Sequence, residues 1–222
     1  SVLTDFDMDI LRMTYSPALA SGMSREEVAA RLGGSAGAVT GNPPDWTRAI
    51  ETALGRNGSL SARKAAAEHA LAIAQGAGWQ DGRAAFSYFA VGRLMAGSEP
   101  ARALDAFERA AAIYARLPGG ELQLAHIDMQ LAAMALSGGL PEAAVQLADR
   151  AIPVVKRHEN AALLATLMLI KAEALDDLGN PGAAAALRLD SAPFARYGFG
   201  PDSVVKARMR DIAAVAGRAA KG

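Results

Sequence analysis

The chain's candidates for metal or acid–base chemistry are three histidines, His69, His126 and His158, and an acidic group of Glu173, Asp176 and Asp177. A cation could sit on the three carboxylates. The same grouping also describes a solvated helix end. The histidines have no mutual metal-ligand spacing, and no His-Glu-x-x-His run accompanies them. His126, between apolar neighbours such as Ile127 and Met129, reads as a packed or half-exposed helix residue. No Ser/His/Asp arrangement stands out. The Gly-rich stretch GGSAGAVTGNPP lacks the Gly-Lys-Ser/Thr ending of a phosphate loop. The residues therefore point to neither a catalytic centre nor a cofactor, and the expectation is a protein without either.

Composition narrows the classes further. Lys and Arg total 23, as do Asp and Glu, so no net charge drives binding to a nucleic-acid backbone. There is no cysteine, which removes disulfides and thiolate metal sites. Hydrophobic residues make up 51% of the chain but aromatics only 5%. Burial then falls to Ala, Leu, Val and Met, which suits closely packed helices better than sheets. No window has the roughly 18 uninterrupted apolar residues of a membrane span. The chain reads as soluble, with the compartment open: envelope or periplasm if an export signal lies upstream, cytoplasm otherwise.

The elements that would position any site are marked by proline. Pro100, Pro141 and Pro181 fall 41 and then 40 residues apart, each opening an Ala-rich run after a turn-like GSE, GGL or GN. Proline suits the first turn of a helix, where its missing N–H has no intrahelical partner. Three residues on stand Ala103, Ala144 and Ala184; nine back stand Val91, Ala132 and Ala172. Six back are Leu94, Ala135 and Leu175, and ten on are Ala110, Ala151 and Ser191. At seven on, Phe107 and Ala148 keep the pattern and Arg188 breaks it. A fainter copy surrounds Leu60, with Leu54, Ala67, Ala70 and Leu71 in register and a tryptophan after a possible Asp45 cap.

This order of small and apolar positions resembles the tetratricopeptide repeat over about residues 45–195, with a period near 40 rather than the family's 34 or so. Each helix or loop would then be longer. The resemblance implies an all-α fold, a right-handed superhelix of stacked antiparallel helix pairs over 45–200, whose ends need covering. An N-terminal capping helix is expected at one end, and residues 201–222 supply a capping helix at the other, with Val205, Met209, Ile212 and Ala216 along one stripe. An amphipathic helix for a membrane or partner is the other reading of that stripe. An irregular helical bundle is the alternative to the repeats. By register, the resemblance also implies a concave groove lined by Tyr88, Met95, His126, Met129, Leu136, Leu169 and Glu173. Mainly apolar and including flexible thioethers, such a groove suits an amphipathic helix or extended apolar peptide.

Residues 1–32 are predicted to be a separate helical segment, followed by a Gly/Pro-rich linker over 33–44. Thr4 and Asp7 form a capping pair, Leu3 and Met8 a hydrophobic staple, and Ser24 and Glu27 a second capping box. LTDFDMDILRMTY followed by SPALASGMS resembles the closing helix of matrixin-like zinc peptidases and of a poorly characterised bacterial envelope family related to them. The resemblance transfers a lineage and no active-site residue. SREEVAARLGGSAGAV also reads as a helix-turn-helix, with Ala29, Gly33 and Val39 in place. Its second helix would lack Arg, Lys or Gln to reach base edges, so nucleic acid is disfavoured as a partner.

The expectation from sequence is a non-catalytic interaction or scaffold module for a protein or peptide, possible as a homo-oligomer and as the appendage of an envelope-associated, peptidase-like protein. The alternative is the sensor or oligomerisation part of a helix-turn-helix regulator. A helical binder of small apolar ligands is the third reading.

Overall fold

In a computed structural model of the protein, residues 44–55 and 57–215 are described, the side chains of Asp202 and Val215 excepted. Among these residues every regular element is an α-helix: α1 Pro44–Leu54, α2 Leu60–Gly76, α3 Gly82–Met95, α4 Pro100–Tyr114, α5 Glu121–Ser137, α6 Pro141–Arg157, α7 Ala161–Asp177, α8 Pro181–Phe199 and α9 Asp202–Val215. The fold is all-α, and helices adjacent in the chain pack on one another within α1–α4 and within α6–α9. Two compact units divide the chain near residue 123.

Pro100, Pro141 and Pro181 each occupy the first residue of a helix, as their spacing predicts. Much of the register is buried as well, although Ala135 and Leu175, six residues before their prolines, are half-buried where Leu94 is buried. Ala103, Ala144 and Ala184 are buried, as are Val91, Ala132 and Ala172, and so is the set Ala110, Ala151 and Ser191. In the faint first copy Ala67, Ala70 and Leu71 are buried and Leu54 half-buried; Trp46, Phe86, Ile127 and Leu167, 14 residues before Leu60, Pro100, Pro141 and Pro181, are all buried. The long period lies in the helices and not in the loops. Helices α5, α6 and α7 each run 17 residues, and the links 138–140 and 158–160 hold three residues each.

Such short links need sharp helix endings, and glycine supplies several. Gly139 and Gly179, at φ 73° and 75°, let the next N–H return to a carbonyl one turn back, Leu140 to Ala135 and Asn180 to Leu175. Four N-termini are closed by Ser59, Asp81, Asn160 and Asn180, whose side-chain oxygens accept a first-turn N–H. Asp45 falls inside the first turn of α1 rather than at its cap, where its charge still favours the helix dipole.

In the first unit, α1 packs on α2 and α3, and α3 lies against both α2 and α4. Trp46 donates its indole N–H to Ser87 Oγ at 2.9 Å, tying α1 to α3. Arg63, buried on α2, donates to the Ala53 carbonyl at 3.2 Å and so closes the end of α1. Gly92 lets the ring of Phe107 approach the α3 backbone: a Cβ there would stand 2.8 Å from the ring.

In the second unit, α7 is clasped between α6 and α8, and α9 touches both α7 and α8. Residues 162–170 are buried without a break, which no one-sided helix allows. Gly198 brings the end of α8 onto the start of α7, since a Cβ would stand 2.5 Å from the Ala162 nitrogen. Along α9, Ile212 is buried and Val205 half-buried, whereas Met209 is exposed; Ala216, the last residue of the expected stripe, lies outside the described residues. So α9 covers α7 and α8 with a narrower stripe than the sequence suggests. The expected helices over 1–32, the linker and the helix-turn-helix also lie outside the described residues.

Candidate binding site

Of the seven expected groove residues, six are interior. Met95, His126, Met129, Leu136, Leu169 and Glu173 are buried, none more than 6% exposed. This corrects the expected groove at those positions. The groove reading took α3, α5 and α7 to bury one face and leave another open. Instead these helices are covered nearly all round, so the same apolar periodicity reports packing. Glu173 has a further role: with Asp176 it accepts from Arg188 of α8. The cation that the acidic group could hold is thus a guanidinium of the chain itself. Among the described residues no three His, Cys, Asp or Glu side chains are grouped to hold a metal ion.

Tyr88 is the exception. Half-buried on α3, it lines a surface cavity of about 340 Å³ in the first unit. Leu71, Ala74, Ala84 and Ile113 form the floor, and Gln75, Gln80 and Arg109 stand at its polar edge. Three helices and one loop build it. Helix α2 brings Leu71 and Gln75, the loop to α3 brings Trp79 and Gln80, and α4 brings Arg109 and Ile113.

The aromatic walls are held from behind. The Trp79 ring meets Trp46 edge-on, with centroids 5.7 Å apart and planes at 81°. The Arg83 guanidinium lies 3.8 Å from the Trp79 ring centre, fixed there by hydrogen bonds of 2.7–3.2 Å to Asp81. Tyr88 accepts a hydrogen bond from Gln75 Nε2 at 3.3 Å. Arg109 donates its Nε–H to Asp105 at 3.0 Å, and its guanidinium carbon stands 6.0 Å from the Tyr88 ring centre. Asp105, with a smaller contribution from Tyr88, holds the Arg109 guanidinium above its ordinary value.

Apart from Tyr88, sequence reasoning missed this site. Its members come from two successive helix pairs; the repeat register singles out Leu71 and Tyr88, and of these only Tyr88 as a groove residue. The discriminating signal was Tyr88 itself: Met129 and Leu169 occupy the equivalent positions of later repeats and are interior, whereas a phenol needs a polar partner or water at its tip.

Comparison with known proteins gives one local match. Residues 1–33 match the model of a family described as a protein of unknown function, DUF2927. No curated protein and no solved structure matches the chain.

Proposed function

We propose that this chain is a non-catalytic interaction module of divergent tetratricopeptide-like repeats, which captures an apolar segment of a protein partner at the Trp79–Tyr88 cavity. One observation carries the reading: a surface cavity with two aromatic walls over an aliphatic floor, braced by stacked helix pairs. Rigid aromatic surface contributes much of the energy at protein contacts, because it buries large area while immobilising few torsions. The tetratricopeptide-like assignment draws support from the helix pairs, the proline-marked starts and the shared burial register. The family match ends at residue 33, before α1 begins, which supports reading the repeats as a module appended to a segment of separate lineage.

The test compares capture by the wild-type chain and by Tyr88→Ala, with thermal unfolding measured on both. A partner retained by the wild type and lost by the variant, at similar melting temperatures, supports the reading. A partner retained equally by both removes the cavity from the interaction.

A further inference from the structure

We propose that the outer face of α8 pairs two copies of this chain, helix against helix and antiparallel, about a two-fold axis at Pro193. The face belongs to the second unit and is independent of the cavity reading.

The repeat register shows what is unusual about this face. Eight residues after their opening prolines, α4 and α6 carry Glu108 and Asp149; sixteen residues after them stand Arg116 and Arg157, and all four are exposed. The same two positions of α8 hold Leu189 and Tyr197, 75% and 87% exposed. A single exposed leucine is ordinary. Here an acid and a base are both replaced by apolar residues, and with Ala186 and Pro193 between and beside them they form one stripe at helical spacing. Only two exposed residues of α8 are charged, Asp190 and Arg196, and they stand on opposite edges of the stripe.

The stripe is complementary to itself. Leu189 lies four residues before Pro193 and Tyr197 four after, so a two-fold axis at Pro193 sets each Leu189 level with the second copy's Tyr197, twice over. The backbone adds a polar match. Pro193 has no N–H, which leaves the Leu189 carbonyl without its donor from the next turn. A tyrosine on a helix leans towards that helix's N-terminus. In an antiparallel copy this carries the phenol towards the Leu189 carbonyl, where its O–H can donate. A parallel pair would set Leu189 against Leu189 and lose that bond.

The 19 residues of α8 span about 28 Å. A stripe one helix wide and of that length buries roughly 1,000 Å² over both copies, in the range of weak pairs. The dimer is therefore concentration-dependent.

Sedimentation of the full chain over a range of concentrations tests this, with a monomer–dimer equilibrium expected. Leu189→Asp combined with Tyr197→Arg, the charges that α6 carries in register, should raise the dissociation constant roughly tenfold or more and leave the melting temperature unchanged. Leu104→Asp, exposed on α4, should leave the equilibrium as it is. The chain has no cysteine, so one introduced thiol reports the axis. Pro193→Cys should link two copies on mild oxidation, whereas Gly182→Cys, eleven residues from the axis, should not. A chain that stays monomeric at every concentration overturns the proposal; if the double variant then melts lower, another segment of the same chain covers the face. A dimer that survives the double variant overturns it too, by placing the contact elsewhere. Linkage through Gly182→Cys and not through Pro193→Cys refutes the antiparallel pairing.

Discussion

Arg188 of α8 reaches back to two carboxylates of α7 at once, donating to Glu173 at 2.9 Å and to Asp176 at 2.5 Å. In the two preceding repeats the same position is held by Phe107 and Ala148, both fully buried. An ion pair has therefore replaced an apolar contact in the last helix pair. Glu173 is buried, so Arg188→Ala leaves a carboxylate in the interior without its guanidinium. The expected cost is about 2–3 kcal/mol, below the value for a fully buried pair because Arg188 keeps some water contact. Arg188→Leu combined with Glu173→Leu should recover most of that loss. Urea unfolding of Arg188→Leu, Glu173→Leu and the double variant measures the coupling, and a coupling near zero would show the pair to be incidental.

Two glycines of α8 should respond oppositely to the same substitution. Gly198→Ala forces a methyl against the Ala162 backbone, which must move apart; about 1–3 kcal/mol should be lost. Gly182→Ala meets nothing within 4 Å and should gain up to about 1 kcal/mol from helix propensity. Thermal melts of both variants decide the matter. Equal effects would mean that α7 and α8 do not approach as closely as described.

Glu159 ends α6 at φ 53°, the one non-glycine residue at positive φ among the described residues. A side chain in that conformation costs about 1–2 kcal/mol, partly offset in glycine by greater freedom of the unfolded chain. Glu159→Gly should therefore stabilise by about 0.5 kcal/mol, and Gly179→Glu should destabilise. A fall in melting temperature for Glu159→Gly would contradict this.

Ser87 accepts the Trp46 indole N–H and in turn donates to the Arg83 carbonyl at 2.8 Å. Ser87→Ala deprives a buried N–H of its acceptor, at about 1–3 kcal/mol. Because Trp46 and Trp79 are the only tryptophans, the emission spectrum reports the change directly. An unaltered spectrum together with unaltered stability would refute the bond.

Much of the scaffold was legible because proline, glycine and small residues impose local geometry that survives any packing. The starts at Pro100, Pro141 and Pro181 and the glycine stops at Gly139 and Gly179 are of this kind. Exposure was less legible, because it depends on what lies on the far side of a helix. Tyr88, Met129 and Leu169 share a register, yet only Tyr88 reaches the surface. Nor does any local pattern announce the cavity: Leu71, Tyr88 and Ile113 come from three helices. The same holds for the links from Arg150 to Asp128 and from Lys171 to Asp149, each spanning 22 residues and joining consecutive helices. Their periodicity can be recognised only once the helix lengths are known.

The three-residue links also have a kinetic consequence. Within α1–α4 and within α6–α9 each helix docks chiefly on the next one along the chain, so little loop entropy is lost before a contact forms, and topology of this kind folds quickly. Structure can then start in any one pair and spread to its neighbours, with the terminal helices opening first. Amide hydrogen exchange should accordingly be slowest in α3 and α7, which have neighbours on both sides, and fastest in α9.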